Sequence, residues 1–321
     1  MRSILVWTLL AAAGGCASAP PPPREFVPSA QDRIIPPGSA PELLWNDGEF
    51  TEGPAKAPDG SIYFSDIGNR ILRFDPRTGA TRVHRDPSGK SNGLKFDSRG
   101  RLIACEGAGG GNRRVSITEA DGSVRTLADR WQGRRLNSPN DLAIDAGGNV
   151  YFTDPRYGGD EPREIDFEGV YVVTPEGTVL LATRDVQKPN GILISRDGRT
   201  VYVADTNSDP KGNHHLVAFR VQPDGTLAGK RLLYDFGPDR RPIDGMAMDA
   251  SGRIYAAGGT GERAGLYVFG PEGETLAFVR LPGDPTNCAF GEPGVLYITG
   301  QGPEVPGKPR RYGLFRLRVA P

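Results

Sequence analysis

Six polar residues, two with carboxylate and four with amide side chains, occupy equivalent positions in six repeats of the chain. Each lies 10 to 12 residues before the second position of an apolar cluster, and the six are Glu52, Asn92, Asn140, Asn190, Asp244 and Asn287. Carboxylate and amide oxygens are the ligands that hard divalent cations such as Ca²⁺ prefer. If the fold brings these residues together, they predict a site for such a cation.

Two simpler explanations compete with a metal site. Asn92, Asn190 and Asp244 each precede a Gly, and such pairs are common in turns. Turn chemistry explains Glu52 poorly, because Glu is not a preferred turn residue. Six polar side chains that converge on one axis would be costly unless water or a ligand satisfied them. The residue types therefore favour a metal site and leave a hydrated channel open.

The apolar clusters behind these residues are short strands, and their recurrence predicts the fold. Their second residues lie 40, 48, 51, 53 and 42 positions apart, and each cluster follows a turn that contains Gly. One strand precedes each turn, a third follows each cluster, and a fourth follows five of the six clusters. Four strands in a unit of about 40–50 residues are typical of a β-propeller blade.

The sixth repeat lacks a fourth strand, and residues 42–45 supply a spare one. We therefore predict an all-β, six-bladed β-propeller over residues 41–321, with four antiparallel strands per blade and the N-terminal strand closing the last blade. A β-sandwich is the alternative. The first strand of each blade lines the central channel, so the six polar residues form a ring at one end. The long loops 155–168, 205–215 and 301–312 lie on that face and wall the ring.

Composition agrees with this fold class and excludes others. The chain of 321 residues contains 44 Gly and 29 Pro, which are poor formers of helix interiors. Lys plus Arg number 39 and Asp plus Glu number 39, so there is no net charge to hold nucleic acid. The three histidines lie on a predicted outer strand and a loop, which disfavours a Ser-His-Asp triad.

Residues 1–19 are typical of an export signal. Arg2 precedes an apolar run from Ile4 to Ala13 that is too short for a permanent membrane span. The sequence from Ala13 to Cys16 resembles a bacterial lipobox, which predicts lipidation of Cys16; ordinary cleavage near Ala19 is the alternative. Residues 20–40 are predicted to form a Pro-rich, extended tether. We expect an exported bacterial protein, either periplasmic or anchored to the membrane.

Two cysteines follow the signal, Cys105 and Cys288. They fall in different repeats at different phases. An exported protein could pair them, and sequence spacing alone does not decide this. We expect two buried thiols.

Five stretches of the chain, taken in order, carry a family resemblance. They are Thr51-Glu52-Gly53-Pro54, Ser91-Asn92-Gly93-Leu94, Ser138-Pro139-Asn140-Asp141-Leu142, Lys188-Pro189-Asn190-Gly191 and Asp244-Gly245-Met246. The ordered set resembles the SMP-30/gluconolactonase/LRE-like family of six-bladed propeller lactonases, and the resemblance extends over residues 42–318. It implies one bound divalent metal, most often Ca²⁺, with Zn²⁺, Mg²⁺ or Mn²⁺ as other candidates.

The resemblance also implies roles for individual residues. Glu52, Asn190 and Asp244 are the implied metal ligands, and Asn140 is the implied fourth ligand or a substrate-contacting neighbour of the metal. Asp244 and Asp141 are the implied acid/base carboxylates, with Asp244 preferred as the base.

Substrate contacts are less transferable. Animal members of the family carry an Arg that helps to hold the sugar at the position of Ser138 here. The candidate substrate contacts in this chain are Asn92, Asn140, Arg156 and Tyr157.

Together these implications predict a metal-dependent hydrolase that opens a lactone ring. The metal would polarise the carbonyl and activate water, and an Asp would act as general base. A non-catalytic ligand-binding propeller is one alternative, and a phosphotriesterase-like or strictosidine-synthase-like activity on the same scaffold is another. The expected partner is a small-molecule lactone, and no obligate protein partner is evident.

Overall fold

Short runs of buried residues between tight turns build the molecule from strands. In this computed structural model, the structure describes residues 25–209, 211–237 and 242–321. The first hairpin illustrates the local rule: Asp59 accepts a hydrogen bond from the Ser61 N–H at 2.9 Å, and Gly60 turns the chain at a φ of +85°. Such Asp-Gly geometry reverses the chain between the first and second strands.

The strands form six four-stranded antiparallel sheets, which are the blades of a β-propeller. Before the first blade lie α1 (Gln31–Ile34) and β1 (Glu42–Gly48). Blade 1 contains β2 (Thr51–Lys56), β3 (Ile62–Asp66), β4 (Arg70–Asp75) and β5 (Ala80–Arg85). Blade 2 contains β6 (Ser91–Phe96), β7 (Leu102–Glu106), β8 (Arg114–Thr118) and β9 (Val124–Ala128). A small hairpin of β10 (Arg130–Trp131) and β11 (Arg134–Arg135) leads to the next blade.

The other four blades follow in chain order. Blade 3 contains β12 (Leu142–Ile144), β13 (Val150–Asp154), β14 (Gly169–Val173) and β15 (Val179–Thr183). Blade 4 contains β16 (Pro189–Ile194), β17 (Thr200–Thr206), β18 (His214–Val221) and β19 (Leu227–Asp235). Blade 5 contains β20 (Ile243–Met248), β21 (Ile254–Gly258), a 3-10 turn (Gly261–Arg263), β22 (Gly265–Phe269) and β23 (Thr275–Arg280). Blade 6 contains β24 (Pro285–Phe290), β25 (Val295–Gln301) and β26 (Tyr312–Arg318), and β1 is its outer strand.

The predicted ring closure is confirmed. β1 pairs antiparallel with β26, with Glu42 opposite Arg316, so one sheet joins the two ends of the propeller. Each inner strand also contacts the inner strands of both neighbouring blades, from β2 round to β24 and back to β2. The six-bladed fold predicted from the sequence is therefore the observed one, and its closure pairs the edge of β26 that would otherwise be exposed.

The segment before β1 differs from the extended tether predicted over residues 20–40. Its described part packs on blade 5: Ser29 and Ala30 donate backbone hydrogen bonds to Thr275 and Leu276 at 3.1 and 2.9 Å. Phe26 lies edge-on against Tyr267 and Phe269, with ring centroids 4.9 and 5.3 Å apart. Burial of Phe26 and backbone hydrogen bonds to blade 5 thus fix this segment in place. Its Pro content had instead suggested an extended tether.

Other predictions about the chain have mixed outcomes. Cys105 and Cys288 are both buried and unpaired, as expected. The predicted signal and the lipidation site at Cys16 fall in residues 1–24, outside the described residues. No helix in the part of the chain that the structure describes is long and apolar enough to cross a membrane.

We expect Trp45→Ala to destabilise the propeller by about 2–3 kcal/mol, less than for a fully buried Trp. Trp45 on β1 packs edge-on against Phe64 of blade 1 at 5.5 Å, so it ties the closing strand to the first blade. Leu43→Thr is the matched control, because Leu43 is exposed on the same strand, and we expect a change within ~0.5 kcal/mol. Chemical denaturation measures both. Equal effects of the two variants would contradict this role for Trp45.

Candidate functional site

The six ring residues lie at the same end of neighbouring inner strands. Five of them belong to these strands, and Asn140 stands just before β12, where its N–H still donates to Thr153 at 2.9 Å. Hydrogen bonds between blades connect the backbone around this end. They run from Ser65 Oγ to Asn92 O (2.7 Å), Gly93 N to Asn140 O (2.7 Å), Thr153 Oγ1 to Asn190 O (2.8 Å), Thr206 Oγ1 to Ile243 O (2.6 Å) and Thr286 Oγ1 to Thr51 O (2.7 Å).

The inner strands are irregular where the ring residues sit. In β2, β6, β16, β20 and β24 the pairing register shifts at the ring residue or beside it. Such bulges re-aim side chains and are common next to active sites. A small residue after the ring residue permits the close approach: a Cβ on Gly93 would lie 2.5 Å from Asp141 Oδ1 and 2.7 Å from its Cα.

Glu52 is an acid of the ring whose pKa is strongly shifted. It is only 3% exposed, and burial raises its pKa well above the ordinary value, with the charge of Asp244 as the next cause and that of Asp141 adding to it. The Gly53 N–H, which donates to Glu52 Oε2 at 3.0 Å, opposes the rise. Three acidic side chains thus share one buried end of the channel, and their mutual repulsion is only partly compensated.

Asn287 bridges two of these acids. Its side chain hydrogen-bonds both Glu52 and Asp141, and its Oδ1 accepts the Cys288 N–H at 2.8 Å. The carboxamide occupies the space beside Gly245 that any Cβ there would need. The sequence placed Asn287 in the ring but assigned it no role; the structure makes it a hydrogen-bond donor between carboxylates.

Asp141 sits one residue beyond the ring and is held firmly. Its Oδ1 accepts the Leu142 N–H at 2.8 Å and its Oδ2 accepts the Ile192 N–H at 3.4 Å. Burial raises the pKa of Asp141, and the ammonium of Lys95 is the largest opposing influence.

Lys95 is a site residue that sequence reasoning missed. It lines a cavity of about 320 Å³ formed by the far ends of the inner strands, together with apolar residues such as Leu193, Met248 and Phe290. The channel therefore has acids at the ring end and a cation beyond them. A comparison of the repeats could have flagged Lys95, because the other blades carry Ala, Leu or Phe at its phase.

The two predicted loop contacts have different surroundings. Arg156 is buried, and its guanidinium donates to the carbonyls of Asn137 at 2.8 Å and Glu161 at 3.0 Å. The structure therefore gives Arg156 a role in holding its own loop, and this geometry does not support the substrate contact predicted for it. Tyr157 is 46% exposed, and Lys188 Nζ lies 5.0 Å from the centre of its ring. The predicted substrate contacts at Asn92 and Asn140 are partly exposed.

A serine nucleophile finds no support at the ring. Residues 89–93 have the spacing of a GxSxG elbow, which requires a turn from strand to helix. Ser91 instead begins β6, is fully buried and shares a hydrogen bond between its Oγ and Ser65 Oγ at 2.9 Å. His84 lies on the outer strand β5, and both ring nitrogens of His214 contact backbone carbonyls, at 2.7 and 2.8 Å.

The donor set fits a hard divalent cation only if amides take part. Within residues 25–209, 211–237 and 242–321, no three His, Cys, Asp or Glu side chains are arranged to hold a metal ion. The ring adds Asn oxygens to the carboxylates of Glu52 and Asp244, which is the all-oxygen chemistry that Ca²⁺ accepts. Burial first and the charge of Asp244 next raise the pKa of Glu52, and a dication bound beside the two would favour the ionised carboxylate.

Comparison with known proteins finds relatives of the whole propeller. A family model described as the SMP-30/gluconolactonase/LRE-like region matches residues 50–301. The chain is 30% identical to a gluconolactonase of Zymomonas mobilis over 298 residues, covering 84% of this chain and 81% of that one. It is 29% identical to a pentonolactonase of Haloferax volcanii over 289 residues, covering 84% and 90%. The solved structure of a gluconolactonase from Xanthomonas campestris matches with a TM-score of 0.78 at 29% identity, covering 92% of this chain and 95% of that one.

We expect Glu52→Gln to stabilise the metal-free protein at neutral pH. Because the folded-state pKa of Glu52 is raised, its proton-linked stability is present below the ordinary pKa of Glu and is lost as the pH rises through the raised value. In chelator, the wild-type Tm should therefore fall as the pH rises above the ordinary Glu range, and Glu52→Gln should flatten this fall. The Tm of the variant should rise by about 2 °C for each ~1 kcal/mol of repulsion that the substitution removes.

Thermal melts across pH measure this effect. Glu49→Gln is the control, because Glu49 is exposed just before the same strand and should keep the wild-type pH profile. A wild-type profile for Glu52→Gln would contradict the burial of a repelled carboxylate.

Proposed function

The chain belongs to the SMP-30/gluconolactonase/LRE-like family, and from that premise we propose that it is a lactonase that opens a cyclic ester at the ring end of its channel. The observation that carries the proposal is the buried Glu52, which lies close enough to Asp244 for the two charges to repel. The gluconolactonase and pentonolactonase relatives support a lactone of a sugar acid as the substrate class.

The proposed cofactor is one divalent cation, with Ca²⁺ preferred over Mg²⁺, Mn²⁺ or Zn²⁺. Glu52, Asn190 and Asp244 would hold it, and Asn140 would be a fourth ligand or contact the substrate beside it. When bound, such an ion polarises the ester carbonyl and stabilises the negative charge that develops on its oxygen. All donors in this set are oxygens, which supports a hard cation over a thiol-preferring or imidazole-preferring one.

The chemistry is the addition of water across the ring ester. The base takes one proton from water as the water oxygen bonds to the carbonyl carbon. The bond between that carbon and the ring oxygen then breaks, and the ring oxygen leaves with a proton as a hydroxyl group. The product is an open-chain hydroxy acid, and no oxidant or reductant is needed.

Asp244 is the proposed base and Asp141 the alternative. Both oxygens of Asp141 already accept backbone hydrogen bonds, from Leu142 and Ile192, and its carboxylate also receives Asn287. These contacts favour a structural role for Asp141, in which its carboxylate holds the Asn287 side chain in position beside Glu52. A carboxylate that acts as a positioned base typically contributes about 10²–10⁴-fold to the rate.

Tyr157 is the proposed substrate contact at the edge of the ring face. Its ring is half exposed, and Lys188, two residues before Asn190, lies over it. An aromatic face with a neighbouring ammonium suits a polyhydroxylated ring that ends the reaction as a carboxylate. Asn92 and Asn140, both partly exposed, supply amide groups for the sugar hydroxyls.

We expect chelation to abolish hydrolysis of glucono-1,5-lactone and Ca²⁺ to restore it. At saturating Ca²⁺, Asp244→Asn should lower kcat by about 10²–10⁴-fold, because the amide cannot take the proton. His84→Ala is the control, since His84 packs on Tyr63 at an outer strand and should leave the rate unchanged. Release of acid from a panel of aldonolactones measures the activity.

The outcomes separate the candidate functions. Hydrolysis that survives both chelation and Asp244→Asn would contradict a metal-dependent lactonase. Bound metal without turnover of any lactone would instead favour a ligand-binding propeller.

We also propose that the protein is exported and anchored by a lipid on Cys16, on the strength of the sequence from Ala13 to Cys16. In a bacterial host, the wild-type chain should fractionate with membranes, and Cys16→Ala should remove it from them. Mass spectrometry of the N-terminal peptide identifies the lipid. The same fractionation for both proteins would contradict anchoring through Cys16.

A further inference from the structure

Four second strands carry a fully buried carboxylate at their last or next-to-last residue, on the ring side of the propeller. These residues are Asp66, Glu106, Asp154 and Asp205, each 0% exposed. A buried carboxylate is costly unless it is hydrogen-bonded or paired. None of the four is a predicted ligand or base, so their retention needs another explanation.

Three of the four carboxylates clamp the chain just before a ring residue. Asp66 accepts the N–H groups of Glu49 and Phe50, both at 3.0 Å. Asp154 accepts those of Asn137 and Ser138, both at 2.7 Å, through different oxygens.

The third clamp has the same form. Asp205 Oδ1 accepts the N–H groups of Gln187 and Lys188 at 3.0 and 2.8 Å. In all three blades the second donor lies two residues before the ring position: Phe50 before Glu52, Ser138 before Asn140 and Lys188 before Asn190. These three ring positions are three of the four proposed metal ligands.

The other three blades do not use this device. Glu106 in blade 2 binds side chains instead, with Arg85 at 3.0 Å, Arg114 at 2.7 Å and Asn112 at 2.6 Å. Its ring residue, Asn92, is not a proposed metal ligand. In blades 5 and 6 the equivalent positions are Gly258 and Gly300, where a Cβ would lie 3.0 Å from Pro242 O and 2.7 Å from Pro285 Cα.

We infer that Asp66, Asp154 and Asp205 are positioning residues that hold the entering backbone of Glu52, Asn140 and Asn190 in the geometry required for metal binding. Each clamp fixes two consecutive peptide groups with charge-assisted hydrogen bonds, which are stronger than neutral ones. The ligand oxygens are thereby ordered before the cation arrives, so binding does not have to order them. This inference rests on the proposed metal-dependent function.

The clamps also carry a cost that is consistent with a functional role. Burial raises the pKa of Asp154 to about 7, although the Asn137 and Ser138 N–H groups oppose the rise. Asp66 forms an ion pair with Arg70 at 2.6 Å, and Asp205 accepts a hydrogen bond from the Asn213 side chain at 2.8 Å. In blade 6, whose ring residue Asn287 is not a proposed ligand, the equivalent residue is the small, uncharged Gly300.

Asp154→Asn is the sharpest test, because each carboxylate oxygen serves one N–H and the amide must lose one of the two bonds. We expect its Ca²⁺ dissociation constant, measured by calorimetry, to rise about 10–100-fold, as for other groups that orient metal ligands. At saturating Ca²⁺ its kcat for the lactone should return to the wild-type value, since the ligands and base remain. Asp205→Asn, whose Oδ1 can keep both backbone bonds, should show a smaller loss of affinity and carries the test if Asp154→Asn does not fold.

Glu106→Gln is the matched control, because it makes the same chemical change at the same buried strand end in a blade without a proposed ligand. It should lower the Tm in chelator as Asp154→Asn does and leave the Ca²⁺ dissociation constant unchanged. Wild-type affinity in both clamp variants, or an equal loss in Glu106→Gln, would overturn the inference and leave the lactonase proposal standing. A wild-type chain that binds no divalent cation would overturn the metal site and the clamps together.

Discussion

The burial of three acids, Glu52, Asp141 and Asp244, at one end of the channel is the constraint on which the ring end of this propeller depends. Burial removes the water that would otherwise screen these charges, so the fold must compensate them from within. It does so with the Gly53 and Leu142 N–H groups, the Asn287 carboxamide and the more distant Lys95 ammonium. The pKa of Glu52 still stays well above its ordinary value, first because of burial and then because of the charge of Asp244. A site that is left with surplus negative charge is suited to a dication.

The scaffold makes this unfavourable cluster possible by fixing the backbone on every side. Closure of β1 on β26 completes the ring of blades, and hydroxyl hydrogen bonds join neighbouring blades at the acidic end. Small residues after the ring positions let the strands approach closely, as Gly93 does beside Asp141. The repeated backbone thus supplies equivalent positions, and the unlike side chains at those positions supply the chemistry.

Much of the architecture could be predicted because local sequence patterns that repeat along the chain determine it. Turn residues, strand periodicity and the spare strand at residues 42–45 are each visible without knowledge of distant contacts, and the structure has the same blades and closure. The docking of Phe26 on blade 5 was missed because its partners lie more than 200 residues away, and Pro content outweighed one aromatic residue.

The finer chemistry of the site was less accessible for a related reason. Arg156 was predicted to contact substrate because a charged loop residue resembles a binding residue, and the structure shows it donating to the carbonyls of Glu161 in its own loop and Asn137 in the loop before β12. Lys95 and Asn287 act on acids of other blades, so their roles depend on which strands are neighbours across the channel. The recurring acid at the end of the second strand was visible in the sequence, but its function as a clamp required the register of the preceding loop.

A crystal structure determined in Ca²⁺ tests the central claim most directly. The account predicts one ion at the ring end of the channel, in contact with carboxylate oxygens of Glu52 and Asp244 and the amide oxygen of Asn190. A ring that holds only water at saturating Ca²⁺, in crystals of protein that hydrolyses lactones, would contradict it.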